Sequence, residues 1–462
     1  MGIAASLFFS TSTPTECLDY RIRPTDEQYD AQKERWNDLR NYLLADLQKR
    51  SGYAMSSWLQ GSYKFGTQVR PASKGGEFDI DLGVYYRWTG QPEDGDYNPT
   101  ELKDFVQASL EVYVENAAND AEGVSAPKPR CNRVHFADNF HIDVPSYHLD
   151  GGRDARSLAT QPGDWENSDP KAIYKWWKDE ISDGERARAR RLVRYLKIWA
   201  ALKFKEDVRP SSILLTVLVA EAYRDLDLAA LSGDDEVLRD TAKAVLARLR
   251  RSRAVANPAN RAEDLNRLSN EAADNFVSEL DTLVSVAERG VAAPSKSQAA
   301  DIWAEAFHQF FPAPPEEEVL NEMAKAILPV LFTPEVLVQA TPPTGSAVFK
   351  GVNSIGPIPK DCDIRFEIIN GNDLPEGATV TWTVRNAGKE AEHENDMGHL
   401  VGAGLVANET SAYTGKHYMD VAVRRNGMLI GHRRVPVTIY GVKPAPRNAG
   451  RPGWVKFRQK RR

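Results

Sequence analysis

From Pro24 to Arg50, apolar residues recur at helical spacing: Trp36, Leu39, Leu43 and Leu47, with polar residues between them. That period puts all four on one face and predicts a helix. Thr25 and Gln28, just ahead of the stripe, have capping-box spacing. The period then drops to two. Ser57–Gln60 predicts a short strand stopped by Gly61. In Phe78–Tyr86, Phe78, Ile80, Leu82 and Val84 alternate with Asp79, Asp81, Gly83 and Tyr85, which predicts a second strand with one buried face. Arg133–Phe136 and Phe140–Val144 predict a hairpin around Ala137-Asp138-Asn139.

Ala172 to about Phe307 reads as mostly helical. Leu192, Tyr195, Leu196, Trp199 and Leu202 form one stripe, and Ser211–Tyr223 is apolar nearly all round, as a buried helix is. Leu238–Arg250 and Arg261–Ala287 predict further helices, and Glu316–Ile327 a last one. Beyond about Ala340 the two-residue period returns, predicting strands at Cys362–Ile369, Thr379–Val384, Tyr418–Arg424 and Val435–Tyr440. Asn370-Gly371-Asn372 and Asn426-Gly427 are turn signals, the second joining Tyr418–Arg424 to Met428–Val435 as a hairpin.

This pattern divides the 462 residues into a mixed unit at 20–170, a helical unit at 171–330, an all-β unit at 340–442 and a basic tail at 443–462. The expected fold class is α+β. A net charge of −6, with 42% hydrophobic and 27% charged residues, belongs to a soluble globular protein and excludes a histone-like binder. Cys17, Cys131 and Cys362 are too few and too far apart for a disulfide framework or a zinc module. With no apolar run of membrane-spanning length, the expected location is the cytoplasm.

The candidate chemistry lies in three segments: Gln60-Gly61-Ser62, Asp79-Ile80-Asp81, and Asp143 within His141-Ile142-Asp143-Val144. Strand residues two apart face the same side, roughly 7 Å apart. Asp79 and Asp81 therefore point to one region, and Asp143 on a neighbouring strand can complete a three-carboxylate cluster. Hard oxygen donors of this kind suit Mg²⁺ or Mn²⁺, and two such ions clamp an in-line phosphoryl displacement. A Gly-Ser turn after a strand lets backbone N–H groups and a hydroxyl approach a phosphate. The alternatives are a solvated strand face and an ordinary turn.

The order of these segments resembles the polymerase-β-like nucleotidyltransferase superfamily. More closely, it resembles the cGAS/DncV-like nucleotidyltransferases (CD-NTases) of bacterial CBASS anti-phage defence, in their DncV-like branch. The matching residues are Gln60–Thr67, Glu77–Tyr85, His141–Tyr147, and Arg194–Trp199 followed by Pro210-Ser211-Ser212. The β-rich unit is similar to the AGS-C sensor domain. The resemblance implies a nucleotidyltransferase core with a helical lobe closing a nucleotide cleft, followed by a sandwich-like sensor domain. It implies synthesis of a cyclic di- or oligonucleotide, cyclic GMP-AMP foremost, from ATP, GTP or other nucleoside triphosphates.

By the same resemblance Asp79, Asp81 and Asp143 hold two metal ions, Mg²⁺ or Mn²⁺. Gln60, Gly61 and Ser62 form the nucleotide-binding turn, with Ser62 and the Gly61 backbone on the donor triphosphate. Lys197 and Ser212 reach the same phosphates, although Ser212 also has the position of a helix cap. Phe65 either stacks on a base or packs in the core. The implied partners are nucleoside triphosphates and a product-binding effector protein, with no membrane. The zinc module through which the animal relative senses DNA is absent, so nucleic-acid activation is not supported. Arg186, Arg188, Arg190, Arg191 and Arg194 form a basic run that reads as a solvated face, a cleft lining or a nucleic-acid surface. The bulky C-terminal Lys460-Arg461-Arg462 argues against priming by conjugation at that end. Rival functions are a linear oligonucleotide synthase, a nucleotidyl-modifying transferase and a non-catalytic nucleotide sensor.

Overall fold

The computed structural model describes residues 2–116, 119–313, 332–343, 348–426 and 428–441. The predicted helix Glu316–Ile327 and the tail from Lys443 lie outside them. The chain divides into two compact units, Met1–Pro314 with His393–Asn395, and Pro315–Glu392 with Asp396–Arg462.

The first unit opens with two short helices, α1 (Ala5–Phe8) and α2 (Leu18–Ile22), and then the long α3 (Asp26–Ser51). Thr25 and Gln28 close a reciprocal capping box at the start of α3, and Gly52, in the left-handed region, ends it. Leu39, Leu43 and Leu47 are fully buried, as the stripe predicted. The chain continues through β1 (Ala54–Gln60), α4 (Gly61–Phe65), β2 (Phe78–Arg87) and α5 (Pro99–Val114). Six strands follow: β3 (Ala121–Val124), β4 (Asn132–Phe136), β5 (Phe140–Val144), β6 (Ser146–Asp150), β7 (Ala155–Ala159) and β8 (Trp165–Asn167).

These eight strands form one mixed sheet, ordered β3-β4-β5-β2-β6-β7-β8, with β1 antiparallel to β2. The strands β5 and β6 keep one parallel register along β2, interrupted at Pro145. One face of β2 presents Phe78, Ile80, Leu82, Val84 and Tyr86 to the α3 leucines and to Leu102, Val106 and Leu110 of α5. Burying each such side chain contributes about 1.5–3 kcal/mol. The opposite face carries Asp79, Asp81, Gly83 and Tyr85.

The helical part comprises α6 (Pro170–Glu180), α7 (Arg186–Lys203), α8 (Ser212–Arg224), α9 (Asp234–Arg251), α10 (Asn270–Val291) and α11 (Lys296–Phe307). The helix expected at Arg261–Ala287 is corrected at its start. A small hairpin, β9 (Ala256–Asn257) with β10 (Asn260–Asp264), occupies the first residues, and α10 begins only after its Ser269 cap. Asp264 Oδ1 accepts from the N–H groups of Val255 and Asn266, and Asn257 Oδ1 from that of Ala259, so local side-chain bonds replace helical ones. No helix among the described residues is long and apolar enough to cross a membrane.

The second unit is a two-sheet sandwich. One sheet orders β12 (Phe349–Val352), β11 (Val336–Thr341), β14 (Asp363–Ile368) and β17 (Val406–Thr410). The other orders β13 (Ile355–Pro359), β19 (Met428–Tyr440), β18 (Gly415–Arg425), β15 (Ala378–Arg385) and β16 (Leu400–Ala403). Val338, Ile364 and Phe366 from the first sheet share a core with Val380, Trp382, Val421 and Val437 from the second. On the outer face of the second sheet, Asp420 is buried between Arg434 (Nε–Oδ1 2.9 Å, Nη2–Oδ2 3.0 Å) and Arg385 (Nε–Oδ2 2.5 Å).

Candidate active site

The parallel pairing of β2 with β5 sets Asp81 beside Asp143 and Asp79 beside His141. One oxygen of Asp79, one of Asp143 and a ring nitrogen of His141 lie within 4.8 Å of one another. Burial, together with the charges of Asp79 and Asp143, pushes the Asp81 carboxyl well above its usual range. Burial acts the same way on Asp143, but the Arg133 guanidinium outweighs it and holds that carboxyl low. Arg133 makes a two-point grip, Nε–Oδ1 2.5 Å and Nη2–Oδ2 2.8 Å. Cys131 also faces Asp143, and its thiol is pushed up to about 12, first by burial and then by that carboxylate. Before any cation binds, Asp81 is thus the better proton acceptor and Asp143 the more firmly charged group.

The Gly61-Ser62 turn abuts these carboxylates. Gln60 and Asp81 are cross-strand partners, and the chain turns immediately afterwards into α4. Gly61 has φ +56°, and a Cβ there would lie 1.8 Å from Asp81 Oδ2, so only glycine admits this approach. Ser62 is half-buried in the first turn of α4, where N–H groups have no carbonyl partner within the helix.

The turn is held from the far side by α7. Arg190, Arg194 and Lys197 share one helical face and donate to three successive carbonyls: Arg190 Nε to Phe65 (2.9 Å), Arg194 Nη1 to Gly66 (2.7 Å) and Lys197 Nζ to Thr67 (2.9 Å). Burial lowers Lys197 to about 8, while Asp79 and Asp81 act in the opposite direction. Lys197 is therefore a partly desolvated ammonium facing the aspartates. The basic run is engaged internally: Arg186 donates to Lys178 and Ile181 carbonyls, Arg188 to that of Leu231, Arg191 grips Asp234, and Arg194 also grips Asp19.

Gln60 and Phe65 are engaged in packing, and Ser212 lies at the exposed start of its helix. The Gln60 side chain is buried. Its amide nitrogen donates to Tyr85 Oη (3.0 Å), and its oxygen accepts from Tyr147 Oη (3.1 Å). The two tyrosine rings stack at 4.8 Å, so Gln60 is committed to packing. Phe65 is 6% exposed and makes edge contacts with Tyr174 and Trp177, which makes it a core aromatic. The hydroxyl capping α8 belongs to Ser211, and Ser212 is the exposed first residue of that helix, which packs on α4. The residue that sequence reasoning passed over is Arg133. The predicted hairpin already contained its signal, because pairing Phe136 with Phe140 forces Arg133 opposite Asp143.

A mixed sheet with this topology and a helical lobe is the architecture of nucleotidyltransferases. Residues 55–147 match the family described as "Cyclic GMP-AMP synthase DncV-like, nucleotidyltransferase domain", and residues 322–440 match the "Adenylyl/Guanylyl and SMODS C-terminal sensor domain". A cyclic GMP-AMP synthase of Escherichia albertii is 27% identical over 447 residues, covering 96% of each chain. A c-di-GMP synthase of Roseivirga ehrenbergii is 24% identical, covering 46% of this chain and 62% of that one. The crystal structure of Vibrio cholerae DncV cyclic AMP-GMP synthase with the linear intermediate 5′ pppA(3′,5′)pG superposes with a TM-score of 0.56 at 21% identity, covering 67% of this chain and 97% of that one. The protein is a nucleotidyltransferase. Residues 55–147 carry a DncV-like nucleotidyltransferase domain and residues 322–440 match the AGS-C sensor domain.

Proposed function

We propose that this enzyme joins two nucleoside triphosphates into a cyclic dinucleotide, cyclic GMP-AMP foremost, with two divalent cations, Mg²⁺ or Mn²⁺, held by Asp79, Asp81 and Asp143. The observation that carries the reading is the register that sets these three carboxylates together against the Gly61-Ser62 turn. It is supported by the relative named cyclic GMP-AMP synthase along 96% of the chain. The donor set fits the ions: hard carboxylate oxygens converge here, and burial together with the repulsion of Asp79 and Asp143 raises Asp81, a repulsion that a cation would relieve. Bound there, the ions would supply Lewis-acid stabilisation of the in-line displacement.

In that displacement a 3′-hydroxyl oxygen bonds to the α-phosphorus of a second nucleotide and the bond to pyrophosphate breaks. A second such step closes the ring. In this reading Gly61 and Ser62 hold the donor triphosphate, and Lys197 supplies positive charge on the same side. The arrangement excludes bulk from the Asp81 edge, because no side chain can stand at position 61. In anti-phage signalling the product would then be read by an effector protein.

The test is incubation with labelled ATP and GTP and Mg²⁺, followed by phosphatase. A phosphatase-resistant dinucleotide that disappears in D79N/D81N with the fold retained is the expected result. A linear product trimmed by phosphatase would replace the reading with a linear synthase, no product at all would favour a nucleotide sensor, and substantial turnover in the double variant would remove the aspartates from the chemistry.

A further inference from the structure

Beside the aspartates lies a second cluster with different donors. His135 on β4 and His141 on β5 are direct cross-strand partners, and Glu77 stands two residues before Asp79, at the entrance to β2. Both imidazoles turn their Nδ1 atoms toward the Glu77 carboxylate: His141 Nδ1 is 2.6 Å from Oε2 and His135 Nδ1 is 3.5 Å from Oε1. The three residues each bring a donor atom within 4.8 Å of the others. We propose that Glu77, His135 and His141 form a binding site for a first-row transition metal ion, of the Zn²⁺ or Co²⁺ type, separate from the three-aspartate site.

The choice of ion follows from the donors. Imidazole nitrogen suits Zn²⁺, Co²⁺ and Ni²⁺, whereas Mg²⁺ prefers oxygen and retains its water. Two histidines and one carboxylate are a common catalytic zinc set, with the fourth position left to water or substrate. The ring centroids are 5.9 Å apart, a spacing consistent with two imidazoles converging on one small ion. His141 is 8% exposed in its side chain, whereas His135 and Glu77 are 32% and 38% exposed, so the site is anchored on one side and open on the other.

His135 has the outer contact that a metal-binding histidine needs. The far nitrogen of His135 meets an oxygen outside the cluster, Nε2 lying 2.7 Å from Ser125 Oγ, whereas His141 Nε2 approaches Asp79 Oδ1 at 3.1 Å without a hydrogen bond. Such partners fix the ring orientation and direct the remaining nitrogen at the ion. The Ser125 contact orients His135 in this way. The contact with Asp79 also ties this site to the neighbouring one, and an ion that fixes His141 fixes the environment of Asp79. That last link, and only that link, rests on the reading of Asp79 given above.

The test uses full-length protein stripped with chelator and titrated with Co²⁺ in excess Mg²⁺ without nucleotide, read by visible absorption and calorimetry. The expected result is about one equivalent of Co²⁺ in a low-symmetry nitrogen–oxygen field, displaced by Zn²⁺. H135A should weaken it at least about tenfold, and S125A, which leaves all three ligands in place, by about tenfold. D81N should bind Co²⁺ like the wild type, since Asp81 is not among the ligands. Equal Co²⁺ binding by wild type and H135A, or loss of the only tight site in D81N, would overturn the proposal. If H135A fails to fold, S125A alone decides, and unchanged affinity there counts against the site. Dinucleotide synthesis is scored separately, so failure of this site leaves the enzymatic reading standing and the reverse also holds.

Discussion

Arg133 and Asp143 face each other across the β4–β5 hairpin, and the guanidinium occupies both carboxylate oxygens at 2.5 and 2.8 Å. A cation that enters the aspartate cluster must share Asp143 with this grip or displace it. The R133Q variant removes the competing charge. The half-saturating Mg²⁺ concentration for turnover should fall about fivefold, the equivalent of an ion pair worth ~1 kcal/mol. An Mg²⁺ titration of initial rates checks this, and an unchanged or higher requirement would show that Arg133 organises the site and does not compete for it.

A paired glycine experiment separates strain from collision. Gly61 and Gly52 both have positive φ, +56° and +76°, but only Gly61 has a neighbour, Asp81 Oδ2, in the way of a Cβ. G61A must displace Asp81 or the turn, and a shift of that size costs about a hundredfold in turnover. G52A should cost about 1–3 kcal/mol of stability through backbone strain and leave turnover per folded molecule unchanged. Rates measured alongside thermal melts distinguish the two, and equal activities would separate Asp81 from the reaction.

Lys197 predicts opposite pH trends for activity and stability. Its folded value of about 8 lies below the ordinary 10.5. The unfolded chain therefore binds more protons between those limits, and stability contributed at this position rises as pH increases through that window. The charge facing the aspartates is lost over the same rise. The ratio kcat/KM for the donor nucleotide should fall above about pH 8 in the free enzyme. K197R, which stays charged, should move this limb to higher pH, and K197M should raise KM while increasing Tm at pH 7. A pH profile that superposes for wild type and K197R would assign the limb to another group.

In the second unit, burial opposes the ionised form of Asp420, but Arg434 and Arg385 overcome it and hold the carboxyl far below its usual range. A depressed carboxylate contributes its full stability above its unfolded value of about 4 and loses it as pH falls below that. D420N leaves two guanidinium groups facing a neutral amide and should cost about 3–5 kcal/mol at neutral pH. The deficit should shrink as pH drops below about 4. Thermal melts of the full chain across that range are the measurement, and a deficit independent of pH would place the cost in packing.

The parts of this structure legible in the sequence are those whose signal is local. The α3 stripe, the alternation of β2 and the β4–β5 hairpin each rest on residues within a few positions of one another, and they brought Asp79, Asp81 and Asp143 together in the reading. Strands β6 to β8 were not anticipated, since Pro145 interrupts the run and the pairing of β6 with β2 spans 62 positions of sequence. Adjacency to Gly61 points Gln60 at the nucleotide, whereas its hydrogen-bond partners, Tyr85 and Tyr147, are 25 and 87 residues away, beyond any local signal. The arginines of α7 look like a solvated face by period alone, and only the folded chain supplies the carbonyls they bind. His135 and His141 were visible as residues but not as a pair, because their significance depends on register and on Glu77.

The three carbonyls gripped by α7 lie 125, 128 and 130 residues upstream of their donors. The turn that carries Ser62 therefore lacks its anchors until α7 has been synthesised and packed. A nascent front lobe emerging from the ribosome would carry its carboxylates but not a fastened Gly61-Ser62 turn. Competence for nucleotidyl transfer is thus acquired late in translation, and a chain truncated before Arg190 should be inactive even where its sheet is intact. The same bonds make the enzyme difficult to split into complementing halves within residues 67–190 unless the fragments reassemble through α7.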